Sequence, residues 1–345
     1  MQDANGLTAG GDAGSSPHKT SSHGVTRRTF LAIAGCMVAL PAFAAPSEWP
    51  DKPVSIMVPN PAGGMTDFLA RAIAEQVQPL WGQPVVVHNR PGASGHLAAQ
   101  HTARAEPDGY TLLLGTIGIH AAFSSYQKLP YAPDKDLETV MIVAESPNVV
   151  LVPANSPFRT FPELLEHAKK DPQSLNYATA GPGSSIHMVT ALFNVESGID
   201  VNYVPYKGSA PAMLDLIGGQ VQVMFDNLPT ALGQIKAGKV RALAVTGRQR
   251  DSRLPDVPTI AESGLPNYEA MSWFTVAVPK GTPRPVIEKL SKDLKQVLST
   301  PSVIEKLDAQ SANLVLSSPE EARTFVTNET AKWNRVITAT QMRLD

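Results

Sequence analysis

The stretch VSIMVPNPAGGMTDFLAR, from Val54 to Arg71, decides the fold of this chain. A mostly apolar run leads through a turn rich in proline and glycine directly into a helical pattern. At such a strand-to-helix junction, unpaired backbone N–H groups and the positive end of the helix dipole meet at one point. The junction therefore predicts a binding place for a carboxylate or a phosphate.

The composition is that of a globular protein without a nucleic-acid partner. With 345 residues, 43% apolar and 17% charged, the chain is long enough for two domains that each have a core. Its formal net charge is -2, and no run of five or more Lys and Arg residues occurs. A nucleic-acid backbone is held by concentrated positive charge, which this chain lacks.

The first 44 residues are predicted to be a twin-arginine-type export signal with a long polar leader. The paired Arg27-Arg28 precedes the apolar run Phe30–Phe43, which is too short to span a bilayer, and Ala42-Phe43-Ala44 has the form of a signal-peptidase site. We expect cleavage after Ala44 and a periplasmic mature protein without cysteine. Lipoprotein anchoring at Cys36 is the less favoured alternative, because it leaves a shorter apolar segment.

Behind the leader, strand-like and helical stretches alternate, which predicts an α/β protein with right-handed crossovers. The first series has strands at Val54–Val58, Val85–His88, Thr111–Gly115 and Val140–Ala144, with helices near Thr66–Val77 and Ser94–Ala103. The second series comprises Val149–Val152, Phe161–Lys170, Leu175–Ala178, Ser185–Phe193, Val201–Val204, Ala210–Ile217, Val221–Phe225 and Arg241–Val245. A loop-like span at Leu254–Tyr268, a strand at Met271–Val278, and helices near Pro283–Leu298 and Pro319–Ile337 follow.

Two α/β units joined by two passages of chain, near 145–150 and 266–272, predict two lobes hinged around a cleft. Residues 45–147 and 269–345 would form lobe 1, and residues 148–268 would form lobe 2. Ligands of α/β sheets bind outside the carboxyl ends of the strands, so the cleft is the expected binding place.

Four strand-to-helix junctions are rich in glycine and small polar residues, and a strand end supplies a fifth candidate. They are Asn60–Asp67, Gly115–His120, Ala180–His187, Tyr206–Ala210 and Asp226-Asn227. Because glycine lets a backbone come close to a ligand, these segments predict a polar pocket built from loops. The alternative is that Thr66, Ser184 and Ser209 only cap the helices that follow them.

Enzyme and metal signatures are weak. No Gly-x-Ser-x-Gly motif occurs, and Ser184, Ser185 and His187 share one short segment, unlike the converging triads of hydrolases. No His-Glu-x-x-His pattern, cysteine cluster or EF-hand loop occurs either. We therefore predict no enzyme, no metal and no cofactor, and an exported hydrolase that uses one serine with His187 is the weaker alternative.

The sequence resembles a known family, the Bug-type (Bordetella uptake gene) periplasmic receptors of tripartite tricarboxylate transporters. The resemblance covers essentially the whole mature chain. It rests on WPDKP at 49–53, GGMTD at 63–67, NRPGASG at 89–95, PDGYTL at 107–112, GSSIH at 183–187, PYKGSAPA at 205–212, FDN at 225–227, LPDVPT at 254–259 and GTP at 281–283.

The resemblance implies a two-lobed periplasmic binding protein of the Venus-flytrap, type II-like class, in which each lobe is a sheet flanked by helices. Such a receptor closes on a small carboxylate, which could be a di- or tricarboxylate, an acidic amino acid or an aromatic carboxylate, and passes it to membrane permease subunits. Presentation of the closed form to a sensor kinase would use the same pocket and is the main alternative.

The resemblance also implies which residues bind the ligand. The loops Pro61–Thr66 and Tyr206–Ala210 would hold one carboxylate, largely through backbone groups and ordered water. The residues expected in this part are Asn60, Ala62, Gly63, Gly64, Thr66, Asp67, Lys207, Gly208 and Ser209. The rest of the ligand would contact Thr116, Ser184, Ser185, His187 and Asp226.

One position departs from the family pattern. Asn60 follows Pro59 where the family usually has Phe, so an amide replaces an apolar wall of the pocket. Asn60 could bond the ligand or could satisfy the turn, because asparagine is favoured in turns for its own reasons. The sequence leaves these two roles open.

Overall fold

A computed structural model describes residues 49–125 and 128–342 of the chain. The predicted signal, its cleavage site and Cys36 lie outside these residues. Within them, strands and helices alternate as the sequence predicts, and the fold class is α/β. No helix in the described ranges combines the length and the apolar character that a bilayer-spanning segment needs.

The first half of the described chain carries four strands and four helices. In chain order they are β1 Val54–Val58, α1 Met65–Trp81, β2 Val85–Asn89, α2 His96–Ala103, β3 Thr111–Thr116, α3 Ile117–His120, α4 Pro133–Asp136 and β4 Leu137–Pro153. β1 lies between β2 and β3 and is parallel to both. Parallel pairing places the carboxyl ends of these strands at one edge of the sheet.

The second half continues with the same alternation and ends in a long helix. Its elements are α5 Phe161–Lys170, β5 Asn176–Thr179, α6 Ser185–Ser197, β6 Asn202–Pro205, α7 Ser209–Ile217, β7 Val223–Asn227, α8 Leu228–Lys236, β8 Val240–Val245, β9 Met271–Pro279, α9 Arg284–Leu298, α10 Pro301–Ala309, β10 Asn313–Leu314 and α11 Pro319–Ala339. β5 is parallel to its two neighbours, β6 and β7.

The strands form one mixed sheet in the order β2-β1-β3-β9-β4-β7-β5-β6, and β8 and β10 also pair with β4. The long strand β4 changes partners along its length. Its residues Leu137–Pro147 pair with β9, whereas Asn148 and the residues after it pair with β7 and β8. β4 therefore joins a part of the sheet built around β1 to a part built around β5.

One element prediction is wrong. Val140–Ala144 and Val149–Val152 are not two strands but parts of the single strand β4. Pro147 suggests a break because proline has no N–H to donate. In the structure Pro147 is the last residue of β4 that pairs with β9, and pairing with β7 begins at Asn148, so the proline stands at the end of one ladder and not inside it. The short helix α10 and the two-residue strand β10 were not predicted at all.

Separate apolar cores support the two parts of the sheet. One core packs α1 and α9 against β1 and β3, with Leu69, Ile73 and Leu294 fully buried. Another gathers the aromatic side chains of Tyr177 and Phe193 together with Trp333 of α11. Burial of such large side chains is the main stabilising contribution to each core.

Candidate functional site

The polar junctions lie at the carboxyl ends of parallel strands, as the sequence predicts. β1 ends at Val58 and its parallel neighbour β3 ends at Thr116, so the segments that follow them leave the same edge of the sheet. The segments that follow β1, β2 and β3 lie side by side. A methyl group added to Gly95, after β2, would come within 2.8 Å of Pro59 Cβ, after β1, and 3.4 Å of Ile119 Cδ1, after β3. A parallel sheet edge of this kind is the usual ligand-binding place of α/β proteins.

The first junction, between β1 and α1, is held from within by Asp67. The Gly63 N–H donates to Asp67 Oδ2 at 2.9 Å, and Asn89 Nδ2 donates to Asp67 Oδ1 at 3.0 Å. Arg71, one turn along the helix, donates through Nε to both carboxylate oxygens at 3.0–3.1 Å. Asp67 therefore fixes the turn and ties it to β2.

These contacts explain the charge of Asp67. The hydrogen bonds from Arg71, Gly63 and Asn89 outweigh the effect of burial and lower the pKa of Asp67 to about 2. The carboxylate is ionised at neutral pH and is already paired with a guanidinium. Such a group positions the loop and is unsuited to direct contact with an anion.

Asn60 is bonded within the same turn. The hydroxyl of Thr66 donates to Asn60 Oδ1 at 3.0 Å, and Asn89 Nδ2 donates to the Asn60 carbonyl oxygen at 3.1 Å. Thr66 is buried and Asn60 is exposed. The structure thus shows a turn-satisfying role for the Asn60 side chain through its oxygen.

The helices on the two expected carboxylate loops begin without a capping side chain. The N-cap residues are Gly64 for α1 and Gly208 for α7, and neither helix has a side-chain cap bond. Thr66 and Ser209 lie inside the first turn, so the idea that they are N-caps is wrong. Ala62, Gly63 and Gly64 are exposed, as is Lys207. The first N–H groups of α1 and α7 remain available for an anion.

The third junction, before α6, differs because Ser184 does cap its helix. Ser184 Oγ accepts the His187 backbone N–H at 3.2 Å and donates to the Gly181 carbonyl oxygen at 2.8 Å. This is the arrangement of an N-cap serine. Its hydroxyl hydrogen is directed to the backbone within the loop.

His187 is held in one tautomer. The Gly183 N–H donates to His187 Nδ1 at 3.1 Å, so Nδ1 is an acceptor and the ring proton is on Nε2. Burial lowers the pKa of His187, and the ring also packs edge-on against Tyr203. His187 therefore offers a neutral N–H donor through Nε2.

These bonds argue against hydrolase chemistry. Ser184 bonds the backbone, and Ser185 Oγ donates to Asn227 Oδ1 at 3.3 Å. In a nucleophilic pair, the base would accept the serine proton. Within the described residues, neither serine is bonded to a ring nitrogen of His187.

The fourth junction, before α7, is tied to the fifth. Ser209 Oγ donates to Asp226 Oδ1 at 2.8 Å, and the Asn227 N–H donates to the same oxygen at 2.8 Å. Asp226 is fully buried, and among the described side chains its Oδ2 is without a hydrogen-bond partner. Burial raises the pKa of Asp226 to about 6, against the lowering effect of the polar groups of Ser209, Thr230 and the Asn227 N–H beside it.

Close approaches link the second, third and fourth junctions. A methyl group on Gly118 would lie 3.4 Å from the Gly183 carbonyl oxygen, and one on Gly181 would lie 3.1 Å from the Tyr206 carbonyl oxygen. Thr116 is the last residue of β3, and Gly118 lies two residues later in α3, so Thr116 lies near the segment that carries Ser184, Ser185 and His187. The structure thus brings together segments that are far apart in sequence.

Several polar residues around these junctions were missed by sequence reasoning. They are Arg71 and Asn89, which hold Asp67, and Asn148 and Ser272, which donate to Asn227. Arg71 could have been found from its i,i+4 spacing to Asp67. The others depend on sheet pairing, which a single sequence does not give. In the described part of the chain, no group of three or more His, Cys, Asp and Glu side chains could hold a metal.

The fold and the arrangement of its loops define a periplasmic binding protein. A family model described as "Tripartite tricarboxylate transporter family receptor" matches residues 69–342, so the chain belongs to this family of solute-binding receptors. The resemblance inferred from the motifs is confirmed. As the family consists of receptors, the chain is a receptor and not an enzyme.

Individual proteins of similar sequence or structure support this family assignment. Protein BugT of Bordetella pertussis is 37% identical over 319 residues, which are 91% of this chain and 98% of BugT. The structure of R. palustris Rpa4515 with adipate has a TM-score of 0.76 and 38% identity, covering 86% of this chain and 99% of that one. MatC from Rhodopseudomonas palustris with bound malate has a TM-score of 0.73 and 34% identity, covering 84% and 99%.

Proposed function

We propose that this protein captures a small carboxylate between the junctions described above and delivers it to the membrane permease of a tripartite tricarboxylate transporter. The observation that carries the proposal is the pair of uncapped helix N-termini at Gly64 and Gly208, each on a glycine-rich loop at a strand end. Such N-termini bind anions through N–H groups and the helix dipole. Two similar structures contain the dicarboxylates adipate and malate.

In this proposal different loops contact different parts of the ligand. Ala62, Gly63, Gly64, Lys207 and Gly208 contact one carboxylate, mainly through backbone groups. Thr116, Ser185 and the Nε2–H of His187 contact the remainder of the ligand. Asn60, Thr66, Asp67, Ser184, Ser209 and Asp226 hold the loops in place through the bonds they make within the protein.

The proposal includes a hinge between two lobes. Residues 45–147 and 269–345 would move against residues 148–268, and the ligand would stabilise the closed arrangement. The change of partners in β4 at Asn148 and the start of β9 at Met271 support hinge points at these places. The mature protein would act in the periplasm after removal of residues 1–44.

Ligand screening tests the proposal. The purified protein is heated with adipate, malate, citrate, acidic amino acids and aromatic carboxylates, and a true ligand at one hundred times its Kd adds about 2.7 kcal/mol of stability. The same ligand should reduce the radius of gyration in solution scattering. Failure of every carboxylate in both measurements would reject the proposal. Turnover of an ester that is lost in Ser184→Ala or Ser185→Ala would instead support the hydrolase alternative.

A further inference from the structure

A cluster of neutral polar side chains lies where β4 changes partners. Asn148 and Ser272 are 0% and 5% exposed, and Asn227 is half-buried beside them. We call these three residues the crossover cluster. Asn148 is the first residue of β4 that pairs with β7, and its partner in that register is Asn227. Ser272 is the second residue of β9.

The crossover cluster lies at the two places where the chain passes between the two parts of the sheet, within β4 and at the start of β9. Asn148 lies on β4 and Ser272 on β9. The backbone of Asn148 is also bonded to Thr246, the residue after β8, whose Oγ1 accepts the Asn148 N–H at 2.8 Å. Thr246 in turn accepts the Ala270 N–H through its carbonyl oxygen at 2.9 Å. These bonds join residues of both passages, so we expect a change of angle between the two parts to alter them.

One atom connects the crossover cluster to the candidate ligand site. Asn227 Oδ1 accepts hydrogen bonds from Ser272 Oγ at 2.8 Å, from Asn148 Nδ2 at 3.2 Å and from Ser185 Oγ at 3.3 Å. A carbonyl oxygen has two lone pairs, so three donors compete for it. The bond from Ser185 is the longest and is the easiest to lose.

Ser185 is the first residue of α6, two positions before His187 in the same helix. Its hydroxyl has a single hydrogen, which can be given either to Asn227 or to a ligand. When the hydrogen goes to a ligand, Asn227 Oδ1 is left to Ser272 and Asn148, and both of these bonds can strengthen. Contact between Ser185 and a ligand would thereby change the hydrogen bonds that Asn148 of β4 and Ser272 of β9 donate to Asn227.

We propose that Asn227 is a positioning residue that couples the ligand site to the place where β4 changes partners. The coupling arises because the Ser185 hydroxyl donates its hydrogen bond either to Asn227 or to the ligand. This inference rests on the proposed carboxylate-binding function and adds a route by which binding changes the hinge. The step is a rotation of the Ser185 hydroxyl from one acceptor to the other, so its O–H bond stays intact and no proton is transferred.

Ligand affinity in three variants tests the coupling. Ser272→Ala removes a competitor for Asn227 Oδ1, so Ser185 is held more firmly and the affinity for adipate or malate should fall about fivefold, the effect of one hydrogen bond. Ser185→Ala should weaken binding to a similar extent. In the double variant, Ser272→Ala should add no further loss, because the exchanging hydroxyl is gone. Losses that simply multiply would overturn the proposal.

Ser263→Ala is the matched control. Ser263 is 8% exposed and donates to the Thr259 carbonyl oxygen at 2.7 Å, outside the candidate site and the crossover cluster. This variant should lose stability as Ser272→Ala does and should keep the ligand affinity of the unchanged protein. An equal loss of affinity in both variants would show that Ser272 acts only through stability.

A second measurement does not depend on any ligand. Spin labels at Leu97→Cys and Leu214→Cys, both exposed, are placed in a Cys36→Ser background. Without ligand, Ser272→Ala should change the distribution of distances between the labels, and Ser263→Ala should not. Unchanged distances would overturn the inference. If the unchanged protein binds no carboxylate, the proposed function fails, and these distances still decide whether the crossover cluster sets the hinge.

Discussion

Ser209 Oγ lies 2.8 Å from Asp226 Oδ1 and joins the first turn of α7 to the end of β7. The bond connects a loop expected to face the ligand with a carboxyl group that has no contact with solvent. Because burial opposes ionisation, Asp226 is a polar group whose charge state affects both the loop and the fold.

The free energy of unfolding should depend on pH through Asp226. Its pKa in the folded protein is about 6, above the ordinary value of 3.8, so the folded state binds more protons between these values. The stability contribution of the neutral carboxyl is full below about pH 4 and is lost as the pH rises to about 6. The difference is about 3 kcal/mol at 1.36 kcal/mol per pKa unit.

Urea unfolding of Asp226→Asn at pH 4 and pH 7.5 checks this prediction. The amide oxygen can still accept from Ser209 and from the Asn227 N–H, but it cannot ionise. The variant should therefore gain stability over the unchanged protein at pH 7.5 and show no such gain at pH 4. Asp134→Asn, at an exposed position, is the control. Parallel pH curves for the two Asp226 forms would contradict the prediction.

Much of the fold follows from local sequence signals, and the continuous strand β4 is the exception. The helix that begins at Met65 and the strand that ends at Val58 are predicted by their apolar patterns and by the glycines between them. The continuity of β4 through Pro147 is not predicted in this way, because whether a proline breaks a strand depends on the strands that pair with it. Pairing of β4 with β9 joins segments more than 120 residues apart, and no local signal encodes it.

The candidate site could be predicted as loops but not as bonds. Glycine and small polar residues mark the junctions at Gly63 and Gly208 in the sequence itself. The role of Asp67 requires knowledge that Asn89, on another strand, reaches its carboxylate. Likewise, nothing in the sequence near Asn227 shows that three donors from three separate elements meet at its side-chain oxygen.

Asp67 is expected to support ligand binding although it carries a negative charge. Asp67→Ala frees the Gly63 N–H and the Arg71 guanidinium, and the turn before α1 loses the bonds that shape it. Affinity for a dicarboxylate should fall about tenfold in calorimetric titrations, the effect of losing bonds worth about 1.4 kcal/mol. If Asp67 instead acted mainly by repelling the ligand, its removal would tighten binding.

Asp293→Ala is the control for Asp67. Asp293 is also buried, accepts the Trp81 indole N–H at 2.8 Å and is paired with Lys289 one turn before it. Its removal should lower the melting temperature without changing ligand affinity, since it lies on α9 in the core behind α1. A loss of affinity equal to that of Asp67→Ala would indicate a general effect of destabilisation.

Variants of Asn60 and Thr66 test which of the two roles left open by the sequence applies to Asn60. The Thr66 hydroxyl donates to Asn60 Oδ1, so a turn residue and its donor share one bond. Asn60→Ala and Thr66→Val should each cost about 1 kcal/mol of stability, and the double variant should cost no more than either. Dicarboxylate affinity should fall equally in both single variants. If Asn60→Ala lost clearly more affinity than Thr66→Val, the amide nitrogen of Asn60 would have to be a ligand contact as well.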